Sequence, residues 1–308
     1  MHFGQLEKIV TVVFARLPDN LRRSEEGNEF VRVQSVGAHT TMHSGLEGPS
    51  FDRDGNLYCV DTPWGRIFRV DPQGNFEVVA EYDGWPNGLK IDRDGRILVA
   101  DYKLGIVEID PSSGKVTSVV GKYKLEGFKG CNDLVIARNG DIYFTDQGQT
   151  GLHDPTGRVF RLCKDRTLEL LLDNVPSPNG IALSPDETRL YLAVTRDNAI
   201  WRAPLLGRGV TKVGAFIRLS GGLAGPDGMA VDENGGLAVA HAGLGVVWLF
   251  DEIGRPTAMV ESCEGLMVTN VAYGGADMRD LYITELANGC ILKARVPVPG
   301  RPMTSHLD

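Results

Sequence analysis

Six short side chains that carry oxygen donors precede apolar runs at similar intervals along the chain. Several stand next to glycine or proline, in phrases such as LAGPDGMAV at 223–231 and VPSPNGIA at 175–182. Consecutive donors are 40 to 48 residues apart; the six are Glu47, Asn87, Asn132, Asn179, Asp227 and Asn270. Carboxylate and amide oxygens without histidine or cysteine favour a hard divalent cation such as Ca²⁺, Mg²⁺ or Mn²⁺.

Three of these donors, Glu47, Asn179 and Asp227, form the predicted metal site. Two carboxylates brought together without a cation would repel one another, and one would have to keep its proton. Buried charge therefore needs a partner, and a cation supplies it. The alternative is that short polar residues cap strand starts and bind water in a channel. This second interpretation is preferred for Asn87 and Asn270, which precede ordinary turns.

A repeated phrase around these donors predicts the elements that position them. In each copy a turn, usually with Asp-Gly or Asn-Gly, joins two short apolar runs, which favours a hairpin. Each unit holds about four strand candidates, and little helical periodicity appears. Four-stranded units at this period indicate an all-β fold, a six-bladed β-propeller. The clear copies are FDRDGNLYCVD at 51–61, IDRDGRILVAD at 91–101, IARNGDIYFTD at 136–146 and VDENGGLAVAH at 231–241, with looser copies at 183–194 and 273–285.

The sixth unit, at 265–296, shows only three clear strands. We expect FVRVQSVG at 30–37 to supply the fourth, so that the propeller is closed by an N-terminal strand and has no exposed edge. This predicts a single domain over 1–308, with an N-terminal arm at 1–29 and blades at about 30–300. Because the first strand of each blade lines the central channel, donors at the same place in every blade should converge on the axis.

Composition limits the classes of function. The chain has 308 residues, is 42% hydrophobic and carries a net charge of −8, so no nucleic-acid partner is expected. Five scattered cysteines form no CxxC pair, which argues against a disulfide framework and a thiolate zinc site. The N-terminal apolar run, VTVVF, is only five residues long. We therefore expect no signal peptide, no membrane span and a cytoplasmic protein.

The motifs around the donors resemble those of the SMP-30/gluconolactonase/luciferin-regenerating-enzyme family, over roughly residues 40–296. The phrases that carry the resemblance are LEGPSFDRDGNLYCVDTPWGRIFRVD, CNDLVIARNGDIYFTD, PSPNGIALSPDETRLYLA, GPDGMAVDENGGLAVA and TNVAYGGADMRDLYITE. Members are six-bladed propellers with a divalent metal on the axis, and many are lactonases. The resemblance implies that Glu47, Asn179 and Asp227 bind the metal, and that Asn132 contacts substrate or metal.

One position departs from the family pattern. Sugar-lactone-specific members often carry arginine two residues before the asparagine of the ND motif, where it holds substrate oxygens. In this chain the position is Gly130. The departure weakens the expectation of an aldonolactone substrate and leaves the predicted metal site untouched.

The expected function is a divalent-metal-dependent hydrolase of the lactonase type, which opens a small lactone with metal-activated water. Ca²⁺ is the favoured metal, with Zn²⁺, Mn²⁺, Mg²⁺ and Fe²⁺ as alternatives. Asp227 is the candidate catalytic residue that accepts the water's proton. Asn132, Arg196 and His241 are candidate substrate-binding residues, and the Gly-rich loop at 146–157 is a candidate lid.

The expected partner is a small lactone or ester, with the oligomeric state left open. No GxSxG elbow, Walker loop or dinucleotide-binding GxGxxG is present in the sequence. Two alternative functions remain open, because propellers host many activities. One is a non-enzymatic ligand-binding propeller with a structural axial metal. The other is an organophosphate or ester hydrolase that uses the same metal site.

Overall fold

The chain folds into a ring of six β-sheets around a central channel. The computed structural model describes residues 6–34 and 42–307. The core of each sheet consists of antiparallel strands that follow one another in sequence order from the channel towards the rim. None of the helices in this part of the chain is long and apolar enough to cross a bilayer.

Strands account for nearly all of the regular structure. The N-terminal elements are β1 (Glu7–Val10), β2 (Val12–Arg16) and the helix α1 (Glu29–Gln34). Blade 1 contains β3 (Leu46–Phe51), β4 (Leu57–Asp61), β5 (Arg66–Val70) and β6 (Phe76–Glu81). Blade 2 contains β7 (Pro86–Ile91), β8 (Ile97–Asp101), β9 (Gly105–Ile109) and β10 (Val116–Val120), and is followed by a hairpin of β11 (Lys122–Tyr123) and β12 (Glu126–Gly127).

The remaining blades continue the same order. Blade 3 contains β13 (Cys131–Ile136), β14 (Ile142–Asp146), β15 (Gly157–Leu162) and β16 (Leu168–Val175). Blade 4 contains β17 (Pro178–Leu183), β18 (Arg189–Val194), β19 (Ala199–Pro204) and β20 (Gly214–Arg218). Blade 5 contains β21 (Gly225–Val231), β22 (Leu237–Ala242), β23 (Val246–Phe250) and β24 (Pro256–Glu261), and blade 6 contains β25 (Val268–Gly274), β26 (Asp280–Glu285) and β27 (Cys290–Arg295). Short 3-10 helices occupy Asp19–Leu21, Thr62–Trp64, Thr195–Asp197 and Thr304–His306.

The first strand of every blade lines the central channel. A cavity of about 110 Å³ is bounded by residues from β3, β7, β13, β17, β21 and β25 together. Strands from six successive units can share one cavity only if they surround a common axis. This confirms the prediction of a six-bladed propeller, and it places the starts of the six innermost strands around one mouth of the channel.

The ring is closed by β2 and not by the segment at 30–37. β2 pairs antiparallel with β27 of blade 6, with Val13 opposite Leu292. β1 extends blade 5 as a fifth strand, parallel to β24. Closure by an N-terminal strand is therefore confirmed, but the predicted segment was wrong. The predicted arm at 1–29 contributes two strands to the ring, so the blades do not begin near residue 30.

Residues 29–34 form a helix because Asn28 caps it. The backbone N–H of Val31 donates to Asn28 Oδ1 at 3.1 Å, and Asn28 Nδ2 donates to the carbonyl of Pro63 at 2.8 Å. The alternation in FVRVQ fits one and a half helical turns as well as a strand, so the cap and its contact with blade 1 decide the conformation. Residues 35–37 of the predicted strand lie outside the described residues.

Apolar side chains fill the spaces between neighbouring blades. Six buried clusters in the described part of the chain each draw mainly on two adjacent blades. Between blades 2 and 3, for example, Ile106 belongs to the same cluster as Phe144 and Phe160, and all three are fully buried. Burial of one such side chain contributes about 1.5–3 kcal/mol. Packing between blades therefore stabilises the ring that positions the strand starts.

The C-terminal tail crosses the mouth of the channel opposite to the donors. Ser305 Oγ donates to the carbonyl of Phe51 at 2.7 Å, at the end of β3, and Thr304 Oγ1 donates to the carbonyl of Ile136 at 3.2 Å, at the end of β13. Met303 lines the axial cavity. The tail therefore covers part of the end of the channel that lies opposite to the donors.

Candidate metal and substrate site

A β-bulge marks the donor position in every blade. The pairing of the first strand with the second shifts at or next to the donor in all six sheets. Bulges bend a strand and re-aim its side chains, and they are common near functional sites. The same local irregularity, repeated six times around the ring, thus directs polar side chains to one place.

Three carboxylates approach one another at this place, which we call the hub: Glu47, Asp133 and Asp227. Glu47 and Asp133 are only 7% and 1% exposed. Burial raises the pKa of Glu47 to about 7, and the nearby Asp133 carboxylate contributes to the rise. Burial, followed by the charges of Glu47 and Asp133, raises the pKa of Asp227 well above its ordinary value. The three acids therefore share one electrostatic environment.

Amide side chains complete the hub. Asn179 donates a hydrogen bond to Asp227, which partly offsets the rise in the pKa of that acid. The structure thus brings together Glu47, Asn179 and Asp227, the three residues predicted to bind metal. Asp133 was missed by the sequence interpretation. The signal for it is the motif CND at 131–133, in which two polar residues stand together before an apolar run.

Two cationic side chains act on the hub. Lys90 Nζ lies 3.8 Å from Asp133 Oδ1, and its charge opposes the effect of burial on the pKa of that acid. Arg196 favours the ionised form of Asp227, but the arginine is exposed to solvent. Lys90 brings a single positive charge against Asp133, so three ionised carboxylates would leave the hub with excess negative charge. A divalent cation would neutralise this charge.

The side-chain oxygen of Asn132 also indicates a cation at the hub. It is buried, and it has no hydrogen-bond partner among the described residues. The other end of this amide is occupied, because Nδ2 donates to Gln147 Oε1 at 2.9 Å. A buried carbonyl oxygen without a donor is unfavourable unless a ligand completes it. The oxygen and the neighbouring carboxylates together suit a hard divalent cation.

The candidate site depends on amide oxygens as well as acids. Within residues 6–34 and 42–307, no three histidine, cysteine, aspartate or glutamate side chains are grouped closely enough to hold a metal by themselves. The predicted set of Glu47, Asn179 and Asp227 contains two carboxylates and one amide, so it is not a group of three acidic, histidine or cysteine side chains. Amide and carboxylate oxygens together are ordinary Ca²⁺ ligands.

Buried threonine hydroxyls fix the strands that carry the predicted ligands. Each threonine belongs to one blade and donates to a backbone carbonyl at or next to the donor of the next blade. These bonds hold neighbouring first strands in a constant relation, which a convergent site requires. The three bonds are Thr145 Oγ1 to Asn179 O (2.8 Å), Thr195 Oγ1 to Pro226 O (2.8 Å) and Thr269 Oγ1 to Leu46 O (2.9 Å).

Glycine follows the donor in four blades because neighbouring strands approach too closely for a side chain. A Cβ atom at Gly88 would overlap Asp133, and one at Gly228 would overlap the amide of Asn270. Asn270 itself hydrogen-bonds to the carboxylates of Glu47 and Asp133. It therefore belongs to the hub, which differs from its preferred interpretation as a strand cap. The four glycines are Gly48, Gly88, Gly180 and Gly228.

Arg196 is exposed near the hub, and its role in substrate binding stays a prediction. It lines a cavity of about 490 Å³ with Tyr102, Ser177 and part of the loop at 146–157. Its influence on the pKa of Asp227 places it near the acids. The cavity is large enough for a small organic ring, and Gln147, which hydrogen-bonds to Asn132, forms part of its lining.

His241 does not reach this cavity. Its side chain is completely buried. Nε2 donates to the carbonyl of Gly221 at 3.1 Å, and Nδ1 accepts from Trp248 Nε1 at 3.2 Å. Burial lowers the pKa of the ring, so the neutral form is favoured. With both nitrogens used, His241 supports the packing of blade 5, and its predicted role in substrate binding is not supported by its position.

The space beside Gly130 is filled by an aromatic ring. A Cβ atom at this position would overlap the ring of Tyr102. Tyr102 packs edge-on against Phe30 of α1, with ring centroids 6.4 Å apart, and Phe30 packs in turn against Trp85 at 5.3 Å. An arginine at position 130 would require this aromatic group to move. The aromatic side chains at this position therefore leave no room for the arginine of the sugar-lactone pattern.

A six-bladed propeller with oxygen donors gathered on its axis defines the class to which the protein belongs. The family model described as SMP-30/Gluconolactonase/LRE-like region matches residues 46–287. The chain belongs to this family. The match covers all six innermost strands and every residue of the hub.

Relatives with known names agree with this placement. A gluconolactonase of Zymomonas mobilis is 31% identical over 261 residues, which cover 74% of this chain and 72% of the relative. Lactonase drp35 of Staphylococcus aureus is 33% identical over 227 residues, which cover 70% of this chain and 69% of the relative. The structure of a calcium-binding protein, regucalcin, from Agrobacterium tumefaciens superposes with a TM-score of 0.74 over 97% of this chain and 98% of its own. At 23% identity that likeness concerns the fold alone.

Proposed function

We propose that the protein is a lactone-hydrolysing enzyme that requires one divalent cation at the hub. The family and the gluconolactonase and lactonase relatives support lactone hydrolysis. The proposed metal requirement depends above all on one observation, the buried Asn132 Oδ1 that lacks a partner in the described part of the chain. Asn132 occupies the donor position of blade 3, next in sequence to Asp133, and the carboxylates of Glu47 and Asp227 have pKa values that are raised by burial and mutual repulsion. A cation would relieve both conditions.

Glu47, Asn179 and Asp227 would hold the cation, and Asn132 Oδ1 is available as a further donor. Ca²⁺ is the metal proposed, since the set contains only carboxylate and amide oxygens. The likeness in fold to a protein described as calcium-binding is in keeping with this choice. When bound, the cation supplies polarisation of the lactone carbonyl and stabilises the negative charge that develops on its oxygen.

The chain's own residues would carry out the proton transfer and the binding. Asp227 would accept, on its carboxylate, the proton of the water that attacks the ring. Arg196, at the exposed mouth, would pair with the carboxylate that ring opening creates. Tyr102 fills the space at position 130, so we propose that lactones without the hydroxyl pattern of a sugar are better substrates than aldonolactones.

The test is a set of lactone assays on metal-stripped protein. We expect the protein treated with chelator to lose hydrolysis, and Ca²⁺ to restore it more fully than Mg²⁺, Mn²⁺ or Zn²⁺. Asp227→Asn should abolish both bound metal and turnover. Asp54→Asn, on the exposed far face, is the control and should change neither. Full turnover in the stripped protein would exclude the metal requirement, and no turnover on any aliphatic, aromatic or sugar lactone would exclude the lactonase.

A further inference from the structure

One side chain from the loop at 146–157 reaches back to the hub. Gln147 is partly buried, directly after β14. Its Oε1 accepts from Asn132 Nδ2 at 2.9 Å and from the hydroxyl of Tyr102 at 2.7 Å. Its Nε2 donates to Ser177 Oγ at 2.9 Å. Both ends of the Gln147 amide are therefore held, by residues that lie next to three different blades.

These contacts determine which end of the Asn132 amide is free. With Nδ2 bound to Gln147, the oxygen is the end that stays buried without a partner within residues 6–34 and 42–307. If the Asn132 amide were reversed, its oxygen would face the oxygen of Gln147, and two acceptors would meet with no proton between them. Contact with Gln147 therefore favours the orientation of Asn132 in which Nδ2 faces Gln147, because the reversed amide would leave buried polar groups unsatisfied.

We propose that Gln147 is a positioning residue, which holds the Asn132 amide so that its oxygen is presented to a cation at the hub. The inference rests on the proposed function, since it takes the ligand of that oxygen to be the proposed metal. Residues that orient a metal ligand typically change metal affinity by about 10–100-fold when they are removed. Gln147 meets the requirement of such a residue because it contacts the ligand's other polar end and is itself held in place.

Contacts outside the hub also hold Gln147 and the start of its loop in place. The hydroxyl of Tyr102 also lies 2.8 Å from the carbonyl of Gly148, which keeps the tyrosine over the start of the loop. Thr150 Oγ1 donates to the carbonyl of Gln147 at 2.6 Å and accepts from the backbone N–H of Ser177 at 3.2 Å. The loop is therefore pinned at its first residues, and the amide of Gln147 has little freedom to turn.

The experiment measures Ca²⁺ affinity by calorimetry on metal-stripped, full-length protein. Gln147→Met keeps the size of the side chain but removes the acceptor, and we expect it to weaken Ca²⁺ binding at least about tenfold. Gln147→Glu keeps an acceptor towards Asn132 and should bind within about threefold of the wild type. Gln149→Met is the matched control, because Gln149 is exposed in the same loop. It should leave the affinity unchanged.

A second background separates orientation from general damage. In Asn132→Asp both ends of the side chain are oxygens, so its orientation no longer matters to a cation. Adding Gln147→Met in this background should then cost less than about threefold in Ca²⁺ affinity, a coupling that a merely structural role would not produce. The melting temperature of each variant in chelator shows whether it has kept its fold. If Gln147→Met has lost its fold, the test is made with Gln147→Glu and with the double variant.

The outcomes are distinct. If the wild type binds no divalent cation, the proposed metal requirement fails and this inference fails with it. If the wild type binds Ca²⁺ but folded Gln147→Met binds it equally well, only the inference is overturned. It is also overturned if Gln147→Glu loses as much affinity as Gln147→Met, or if Gln147→Met costs as much in the Asn132→Asp background as in the wild type.

Discussion

Glu47→Gln should stabilise the metal-free protein while removing its ability to bind metal. Burial raises the pKa of Glu47 from 4.5 to about 7, so above neutral pH the protein must hold a charge that its surroundings disfavour. At about 1.4 kcal/mol for each tenfold change in the ionisation equilibrium, this rise corresponds to about 3 kcal/mol. Glutamine keeps an oxygen to accept from the backbone N–H of Gly48, as Oε2 does at 2.9 Å. The variant therefore loses the charge without losing that hydrogen bond.

The effect should depend on pH with a definite sign. Because the pKa of Glu47 is raised by folding, its contribution to stability is present below pH 4.5 and is lost as the pH rises through about 7. In chelator, urea unfolding should give similar free energies for Glu47→Gln and wild type at pH 4.5. At pH 8 the variant should be more stable by about 3 kcal/mol. Ca²⁺ at about 1,000 times its Kd should reverse this order, since it stabilises the wild type by about 4.1 kcal/mol and the variant does not bind it.

The control is Glu126→Gln, which removes a charge from an exposed hairpin and should change stability at neither pH. The reasoning is refuted if Glu47→Gln is no more stable than wild type in chelator at pH 8. It is also refuted if the difference between them does not grow with pH. Either result would mean that the carboxylate of Glu47 ionises as it does at the surface, and that the hub is not a desolvated acidic site.

Three further predictions concern the frame around the hub. Arg66 is completely buried and ion-paired within blade 1, so Arg66→Met should lower the free energy of unfolding in urea by about 3–5 kcal/mol. Arg69→Met removes one side of an exposed ion pair and should lower it by less than about 1 kcal/mol. Equal losses in the two variants would contradict the argument. Burial lowers the pKa of His241 from 6.5, so the contribution of His241 to stability is present above pH 6.5 and is lost as the pH falls. The stability advantage of wild type over His241→Gln should therefore shrink between pH 7.5 and 5.5. A constant advantage would contradict this reasoning. Gly228→Ala should reduce Ca²⁺ affinity at least about tenfold, because the new methyl group would displace an amide of the hub, whereas Gly207→Ala, with open space around it, should not; equal affinities would show that the hub tolerates the methyl group.

The ring could be predicted from the sequence because its signals are local. Asp-Gly and Asn-Gly turns between apolar runs specify hairpins within about ten residues, and their period counts the blades. The closing strand could not be chosen in the same way. VVFAR at 12–16 and FVRVQ at 30–34 have similar alternation, and the choice depends on contacts with distant parts of the chain. Asn28 binds Pro63 and caps a helix, while β27 offers its open edge to β2.

Burial distinguishes two residues, Arg196 and His241, that the sequence alone made equal candidates for substrate binding. Arg196 and His241 both occur near the ends of second strands, and residue type alone suits either to substrate. The fold leaves Arg196 at the mouth and encloses His241 between Gly221 and Trp248. Which polar side chain remains accessible is set by the neighbouring loops, and their positions follow from packing that spans the whole blade.

By itself, the sequence determined the kind of chemistry. It placed carboxylates and amides at one point of each repeat, with neither histidine nor cysteine at any of the six positions, which favours a hard cation. Only the tertiary structure decided which of these groups meet. Asp133 and Asn270 join the hub because glycines on adjacent strands leave room for them, and the pKa of Glu47 rises because side chains from other blades exclude water. Desolvation depends on everything that surrounds a group in space, and most of what surrounds these acids is more than forty residues away in the chain.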